Sequence, residues 1–262
     1  MTQVPRIQFD DITMRFGGLD AVRACSFDLP AGRITGLIGP NGAGKTTAFN
    51  VIAGLLTPTL GRVFLDGEDV TALPAYRRQA KGLSRTFQLA HEFGRMTVIE
   101  NLMVAANNDV GEGIFNAVFR PSRCLGQERE AYDKAIGTLE FLEIAQLAGE
   151  LAGNLSGGQK KLLELGRALM QEPKIILLDE IGAGVNRTLL GKIADKIKQL
   201  NEQSGYTFCL IEHDLDFVSR LCDGVIVMAQ GELLMTGTVD EVRRDERVIE
   251  AYFGGGRYQD AS

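Results

Sequence analysis

An eight-residue segment, Gly39-Pro40-Asn41-Gly42-Ala43-Gly44-Lys45-Thr46, matches the pattern G-x-x-x-x-G-K-[ST]. It follows a strand-like apolar run over residues 33–39 and precedes a helix-like stretch over residues 48–56, which is the context that the pattern requires. Successive backbone N–H groups and a helix N-terminus attract anionic phosphates. The segment therefore predicts a phosphate-binding loop, in which Lys45 reaches the outer phosphates and the Thr46 hydroxyl holds Mg²⁺.

Two adjacent acids follow a second apolar run. Asp179 ends the run Ile175-Ile176-Leu177-Leu178, and Glu180 comes directly after it. Beside a phosphate loop, such carboxylates can divide the work: Asp179 would hold Mg²⁺, and Glu180 would orient and deprotonate an attacking water. The alternative interpretation is a solvated acidic pair at the end of a strand.

A second candidate phosphate cradle is Leu155-Ser156-Gly157-Gly158-Gln159, which precedes a helix-like stretch. Ser156 is a candidate N-cap of that helix, and the two glycines would let a phosphate approach the backbone. One terminal phosphate does not need two cradles. An economical hypothesis is a dimer in which the Ser156–Gln159 segment of each chain completes the site of the other chain.

Alternating strand-like and helix-like stretches must position these motifs. Short apolar runs over residues 175–179 and 206–212 are typical of strands that are buried on both faces. An apolar stripe of helical spacing predicts a helix over residues 188–204, and strands that alternate with helices favour a mainly parallel sheet. The other predicted elements are strands at 6–10, 24–29 and 33–39, a strand plus turn at 62–70, helices at 74–81, 97–106 and 127–148, and a loop around Pro121.

The three motifs together resemble the ATP-binding subunit of an ABC transporter, over nearly the whole chain and in the order found in that family. The resemblance implies an α/β P-loop NTPase (ABC ATPase) with a mainly parallel core sheet, an antiparallel β subdomain and an inserted helical subdomain. It implies a single ABC ATP-binding domain over residues 1–262, with the helical subdomain at about 89–154 and a flexible tail at 254–262. The implied ligands are ATP and Mg²⁺.

The resemblance also implies roles for residues outside the three motifs. Phe16 resembles the aromatic residue that stacks on adenine, Gln88 the glutamine that touches Mg²⁺ and water, and His213 the switch histidine that contacts the γ-phosphate. The ordinary alternatives are an apolar strand residue, a solvated loop amide and a structural histidine. The implied catalytic residues are Glu180, His213, Gln88 and Lys45. The implied metal ligands are Thr46, Gln88 and Asp179. The nucleotide would be bound by the phosphate loop with Thr47, by the Ser156–Gln159 segment and by Phe16.

Finer features resemble one branch of the family. The runs MRFGGLDAV and AGVN, the long insert around NNDVGEGIFNAVFRPSRC and the ending VIEAYFGG resemble ATPases of importers for branched-chain amino acids and other small polar solutes. ATPases for lipid or lipopolysaccharide transport are the alternative, and they generally lack such a long insert. Two positions depart from the family pattern: Ile181 stands where proline is usual, and Asn186 where aspartate is usual.

Composition narrows the function classes further. The 262 residues carry a formal net charge of −6, so we expect no nucleic-acid partner that is held by bulk positive charge. Two histidines, and four cysteines without a C-x-x-C pair, argue against a metal site rich in these residues. The sequence starts without the pattern of a secretory signal, and no apolar run approaches the roughly 20 residues of a membrane helix. We therefore expect a soluble, cytosolic chain.

The implied partners are ABC permease membrane subunits, a second ATP-binding subunit (the same or a related chain) and, indirectly, a solute-binding protein. The resemblance implies that the chain is a peripheral protein on the cytoplasmic face of the inner (plasma) membrane. A non-transport ABC protein that acts on ribosomes or DNA usually carries tandem cassettes, coiled-coil arms or zinc modules, which this sequence lacks. A P-loop kinase or GTPase would leave the LSGGQ and His213 motifs unexplained.

Overall fold

The computed structural model describes residues 4–86, 92–106 and 121–253. The chain divides into two compact units. The first comprises Met1–Arg85, Lys174–Gly182 and Ile197–Ser262, and the second comprises Thr86–Pro173 and Ala183–Lys196. The single ABC ATP-binding domain with a helical insert at about 89–154 stays a prediction, and the predicted tail at 254–262 lies outside the described residues.

An antiparallel sheet occupies the N-terminal part of the first unit. The strand order is β2-β1-β4-β5. Buried and exposed residues alternate over residues 7–10 of β1, as expected for a sheet with one covered face, whereas residues 12–14 are all buried. The sequence predictions at 6–10, 24–29 and 62–70 are confirmed, and the first two strands are longer than predicted. The strands are β1 (Ile7–Phe16), β2 (Leu19–Leu29), β4 (Leu60–Leu65) and β5 (Glu68–Asp69).

A second sheet of the first unit is mainly parallel, in the order β10-β9-β3-β8-β7-β6, with only β10 antiparallel to its neighbour. All residues of β3, β7 and β8 are buried, which explains their continuous apolar sequences. Strands β6, β9 and β10 had not been predicted. The strands are β3 (Ile34–Ile38), β6 (Leu83–Arg85), β7 (Ile175–Asp179), β8 (Thr207–Ile211), β9 (Gly224–Ala229) and β10 (Glu232–Gly237).

Among the described residues of the first unit are the helices α1 (Lys45–Ile52), α2 (Ala75–Ala80), α7 (Leu215–Leu221), α8 (Val239–Arg244) and α9 (Glu246–Phe253). The end of α1 is fixed by Arg78, which is fully buried and donates to the carbonyl oxygens of Val51 at 2.7 Å and Ile52 at 2.8 Å. Two more carbonyl oxygens accept from the same guanidinium. Burial lowers the pKa of Arg78 to about 10.

The described residues of the second unit form helices and an isolated bridge between Thr97 and Leu151. A helix begins at Pro121, and proline suits a first helical position, where the N–H has no partner within the helix. The loop predicted around Pro121 therefore does not extend beyond this residue, and residues 107–120 lie outside the described residues. The same helix ends at Phe141, earlier than predicted. The helices are α3 (Val98–Ala105), α4 (Pro121–Phe141) and α5 (Gly157–Leu169), followed by α6 (Arg187–Ser204), which lies in the second unit up to Lys196.

Candidate functional site

The phosphate loop connects β3 to α1 and requires glycine at two points. Gly39 has φ +152° and a Cβ there would lie 2.1 Å from the carbonyl oxygen of Met228. Gly44, directly before α1, has φ +95° and a Cβ there would lie 2.6 Å from the carbonyl oxygen of Ala21. Both glycines are therefore demanded by backbone conformation and by close backbone approach, so the loop can keep its N–H groups available to a ligand.

Lys45 lies at the first position of α1 and is only 6% exposed. Its ammonium donates to the carbonyl oxygens of Gly39 at 2.7 Å and Pro40 at 2.9 Å. Burial lowers the pKa of Lys45, and the negative charges of Glu180 and Asp179 act in the opposite direction. The two predicted carboxylates therefore lie within electrostatic reach of the predicted lysine.

The other residues of the phosphate loop differ in their hydrogen bonds and in their exposure to solvent. Within the loop, the backbone N–H of Ala43 donates a hydrogen bond to the carbonyl oxygen of Pro40 at 3.2 Å. The carbonyl oxygen of Ala43 accepts one from the N–H of Gly231 at 3.1 Å. Tyr252 of α9 also contacts the loop: burial raises the pKa of this phenol, and a hydrogen bond with the backbone of Gly39 opposes that rise. The exposed loop residues are Asn41, Gly42 and Thr46, the half-buried ones include Pro40 and Thr47, and Ala43 is buried.

The two acids and the histidine meet at the carboxyl ends of neighbouring parallel strands. Asp179 ends β7 opposite Ile211, the last residue of β8. Glu180 and His213 follow these strands, and His213 Nε2 lies 2.7 Å from Glu180 Oε1. An ionised carboxylate only accepts hydrogen bonds, so an ionised Glu180 would accept this one from the Nε2–H tautomer of His213. The structure thus brings Glu180 and His213 into contact next to Asp179, and the negative charges of Glu180 and Asp179 act on Lys45. The roles of these four residues stay predictions.

Arg85 is a site residue that the sequence motifs did not indicate. Its guanidinium donates to Asp179 Oδ2 at 2.9 Å and to Asn50 Oδ1 at 2.5 Å, and it lies over the ring of Phe49 at 5.8 Å. Arg85 and Asp179 have side chains that are 8% and 2% exposed. Arg85 therefore joins β6, β7 and α1 beside the phosphate loop. Its sequence signal is weak, because a lone arginine near a strand end has no characteristic spacing.

The resemblance assigns two further residues to the nucleotide site, Phe16 and Gln88. Phe16 ends β1 and is 48% exposed, so its ring has a face that a planar ligand could cover. Its role in stacking stays a prediction. Gln88 lies outside the described residues.

The LSGGQ segment belongs to the second unit and begins helix α5. Ser156 is the N-cap, as predicted: Ser156 N donates to Gln159 Oε1 at 2.8 Å, and Gln159 N donates to Ser156 Oγ at 3.4 Å. Gly157 is exposed, whereas Gly158 is buried, and a Cβ on it would lie 2.1 Å from a methyl carbon of Leu189. Gly158 therefore has a packing role besides any role toward phosphate.

The two departures from the family pattern have local structural explanations. Asn186 Oδ1 accepts a hydrogen bond from Leu189 N at 2.9 Å, at the start of α6. Asparagine and aspartate are equally good at such a position, so the helix start does not need the charge. Ile181 is 5% exposed, which makes it a buried apolar anchor directly after Glu180.

The donor set near the phosphate loop fits a magnesium ion that is held mainly by phosphate. Thr46 offers an exposed hydroxyl at the start of α1, and Asp179 offers a carboxylate at the end of β7. These are hard oxygen donors, and magnesium in such sites takes one or two carboxylates besides the phosphates. Within residues 4–86, 92–106 and 121–253, no group of three or more His, Cys, Asp or Glu side chains could hold a metal alone.

None of the helices in the described ranges combines the length and the apolar character that crossing a membrane requires. The fold itself matches solved structures. A nucleotide-free ATP-binding cassette from an ABC transporter is 37% identical, with a TM-score of 0.81, and the match covers 95% of this chain and 99% of that one. The ADP conformation of another such cassette is 36% identical, with a TM-score of 0.83 and the same coverage.

Comparisons of the sequence with known proteins find relatives of the same kind as the solved structures. The high-affinity branched-chain amino acid transport ATP-binding protein BraF of Pseudomonas aeruginosa is 38% identical over 250 residues, which is 95% of this chain and 98% of BraF. LivG of Escherichia coli, of the same description, is 37% identical over 250 residues with the same coverage. Family models described as ABC transporter and as branched-chain amino acid ATP-binding cassette transporter match residues 22–183 and 232–258. The chain belongs to the ABC transporter family, as an ATP-binding subunit of the branched-chain importer type.

Proposed function

We propose that the chain hydrolyses ATP to energise an importer of branched-chain amino acids or a related small polar solute. The observation that carries the proposal is the 2.7 Å contact between Glu180 and His213 at the edge of the sheet. The negative charge of Glu180 also raises the pKa of Lys45, against the effect of burial. In the proposal, Glu180 acts as the base and His213 as its orienting partner, beside the phosphate loop. The names of the relatives BraF and LivG support the solute class.

In the proposed reaction, water attacks the terminal phosphorus of ATP while the bond to the ADP oxygen breaks. Glu180 accepts the proton of the attacking water, and His213 orients the Glu180 carboxylate. Lys45 exchanges its carbonyl partners in the loop for phosphate oxygens, and the loop N–H groups bind the remaining phosphate charge. Mg²⁺, held by Thr46 and Asp179 with Gln88 as a further candidate ligand, would neutralise charge on the phosphate oxygens.

The same proposal includes a dimer on the cytoplasmic face of the inner membrane. The capped Ser156–Gln159 segment of one chain would cover the nucleotide bound to the phosphate loop of a second ATP-binding subunit. Permease subunits would receive the closing motion, and a solute-binding protein would deliver the cargo to them. The resemblance of the chain to transporter ATP-binding subunits supports these partners.

The test is a pair of substitutions that separate binding from hydrolysis. Glu180→Gln removes the base, so we expect ATP turnover to fall at least about 100-fold while an ATP-dependent dimer persists in size-exclusion chromatography. Lys45→Ala should lose ATP binding itself. Asp240→Asn, on the exposed start of α8, is the matched control and should hydrolyse ATP at the rate of the unmodified chain. Undiminished hydrolysis by Glu180→Gln would rule out its assignment as the base.

The transport partner is tested by purifying the tagged chain from gently solubilised membranes. Recovery of a polytopic permease, with or without a second ATPase, is the expected result. Recovery of ribosomal or DNA-repair proteins without a membrane protein would contradict the transport role and leave the ATP-site assignments standing.

A further inference from the structure

Glu212 is a buried carboxylate that the proposed hydrolysis does not use. It lies directly before His213 and is 5% exposed. Its Oε1 accepts a hydrogen bond from the backbone N–H of Gly182 at 2.8 Å. Burial raises the pKa of Glu212, and hydrogen bonds from the backbone of Gly182 and His213 act in the opposite direction. The carboxylate therefore joins the segment that carries Glu180 to the segment that carries His213.

The segment that Glu212 holds has an unusual backbone. Glu180 adopts φ +49°, the left-handed region that non-glycine residues rarely occupy. Such a conformation is strained and persists only where the surrounding structure fixes it. Here one hydrogen bond, from Glu180 N to Ile211 O at 3.0 Å, fixes the residue itself. The Glu212 bond to Gly182 fixes the backbone two residues further along.

Ile181, which lies between Glu180 and Gly182, does not restrain its own backbone. A proline at that position would fix its own φ through its ring, but an isoleucine does not. The isoleucine side chain is buried and anchors the turn by packing. Packing restrains where the side chain lies, whereas the hydrogen bond to Gly182 restrains how the backbone turns.

We propose that Glu212 is a positioning residue for hydrolysis: its carboxylate bridges the backbone of Gly182 and His213 and thereby holds the left-handed turn that sets Glu180 against His213. The inference rests on the proposed function, because it names the group that orients the proposed base. It also makes a statement about the nucleotide-free chain, which can be tested without any hydrolysis.

The kinetic test compares Glu212→Ala with Glu212→Gln. The alanine removes the acceptor, so we expect kcat to fall by up to about 100-fold, as a misplaced reacting group can cause, with the KM for ATP unchanged. The glutamine keeps an oxygen acceptor of the same reach, and its kcat should stay within about threefold of the unmodified chain. Asp216→Ala, which removes an exposed carboxylate of α7, is the control and should keep full activity.

The second readout is the ring-nitrogen NMR signal of His213 in the nucleotide-free protein. The sequence holds two histidines, so His91→Gln assigns the signals. In Glu212→Ala the His213 signal should move toward that of a free imidazole, and in Glu212→Gln it should stay in place. Thermal melts of both variants establish that they are folded.

The outcomes separate the two proposals. A glutamine that rescues both the kcat and the NMR signal supports the positioning role. An alanine variant with the His213 signal and kcat of the unmodified chain overturns it, and so does a kcat loss that glutamine fails to rescue. If the unmodified chain does not hydrolyse ATP at all, the proposed function fails, and the NMR comparison still decides whether Glu212 holds Glu180 against His213.

Discussion

Several charged side chains around the phosphate loop are buried and paired. Lys45, Arg85 and Asp179 are each less than one-tenth exposed, and each has a partner at hydrogen-bond distance. Removing a charge from water costs several kcal/mol unless a partner compensates it. Arg85 and Asp179 are therefore held by each other, and Lys45 by carbonyl oxygens of the loop, before any nucleotide arrives. This preorganisation favours catalysis.

The pair Arg85–Asp179 gives a direct stability test. Arg85→Met leaves Asp179 buried without its guanidinium partner, so we expect the free energy of unfolding to fall by about 3–5 kcal/mol. The measurement is urea unfolding without nucleotide. Arg243→Met is the control, because the pair Arg243–Asp216 has side chains that are 42% and 88% exposed, and such pairs contribute about 0–1 kcal/mol. Equal losses in both variants would contradict the argument.

Among the strands and helices, glycines mark where backbones approach too closely for a side chain. Strand β1 is irregular against β4 between Asp10 and Thr13, where Asp11 has φ +49°. Gly61 of β4 faces this irregularity with φ +89°, and a Cβ on it would lie 2.3 Å from the carbonyl oxygen of Asp11. The bulge in one strand therefore dictates a glycine in its neighbour.

Two glycine substitutions should change stability in opposite directions. Gly61→Ala strains a left-handed backbone and collides with a backbone oxygen, so we expect a loss on the order of 3 kcal/mol. Gly137 is exposed in α4 and a Cβ on it meets nothing within 4 Å, so Gly137→Ala should add about 0.5–1 kcal/mol through helix propensity. Thermal unfolding without nucleotide measures both. A stable Gly61→Ala variant would show that the β1 bulge can relax.

The whole molecule separates its two phosphate cradles between two compact units. The phosphate loop, Asp179, Glu180 and His213 belong to the first unit, and Ser156–Gln159 belongs to the second. The division agrees with a site that a second chain completes, which is part of the proposed function. Glu212 is one of the buried acids of the first unit, and its raised pKa makes the stability of the protein depend on pH.

The sign of that pH dependence follows from the raised pKa of Glu212. In the folded chain the Glu212 carboxyl keeps its proton to a higher pH than in the unfolded chain. The pKa of a glutamate side chain in an unfolded chain is about 4.3. Between these two values the folded state binds more protons, so its stability falls as the pH rises. The unfolding free energy of the unmodified chain, relative to Glu212→Gln, should therefore decline from about pH 4.3 upward.

Urea unfolding at a series of pH values without nucleotide measures this difference. The charges of His213 and Glu180 also act on Glu212, and both remain in the Gln variant. Glu202→Gln, at an exposed position of α6, is the control and should give a flat difference. A flat difference for Glu212→Gln as well would show that its burial does not affect its protonation.

The motifs were readable because chemistry restricts which residues can stand at each position. A phosphate loop needs glycine, lysine and threonine at fixed spacing, and buried parallel strands need continuous apolar runs, so Gly39–Thr46, β3, β7 and β8 could all be predicted. The N-cap at Ser156 was predicted for the same reason, since a short local pattern carries it. Such features depend on neighbours in the sequence.

Contacts between distant segments could be decided only by the tertiary structure. Arg85 reaches Asp179 across 94 positions of sequence, and Glu212 reaches Gly182 across 30. Neither contact has a spacing rule, because strand order in a parallel sheet, not chain order, sets which residues become neighbours. The sequence thus determined which groups can do the chemistry. The fold decided which buried partners hold them, because pairing between distant charges exists only once the sheet has formed.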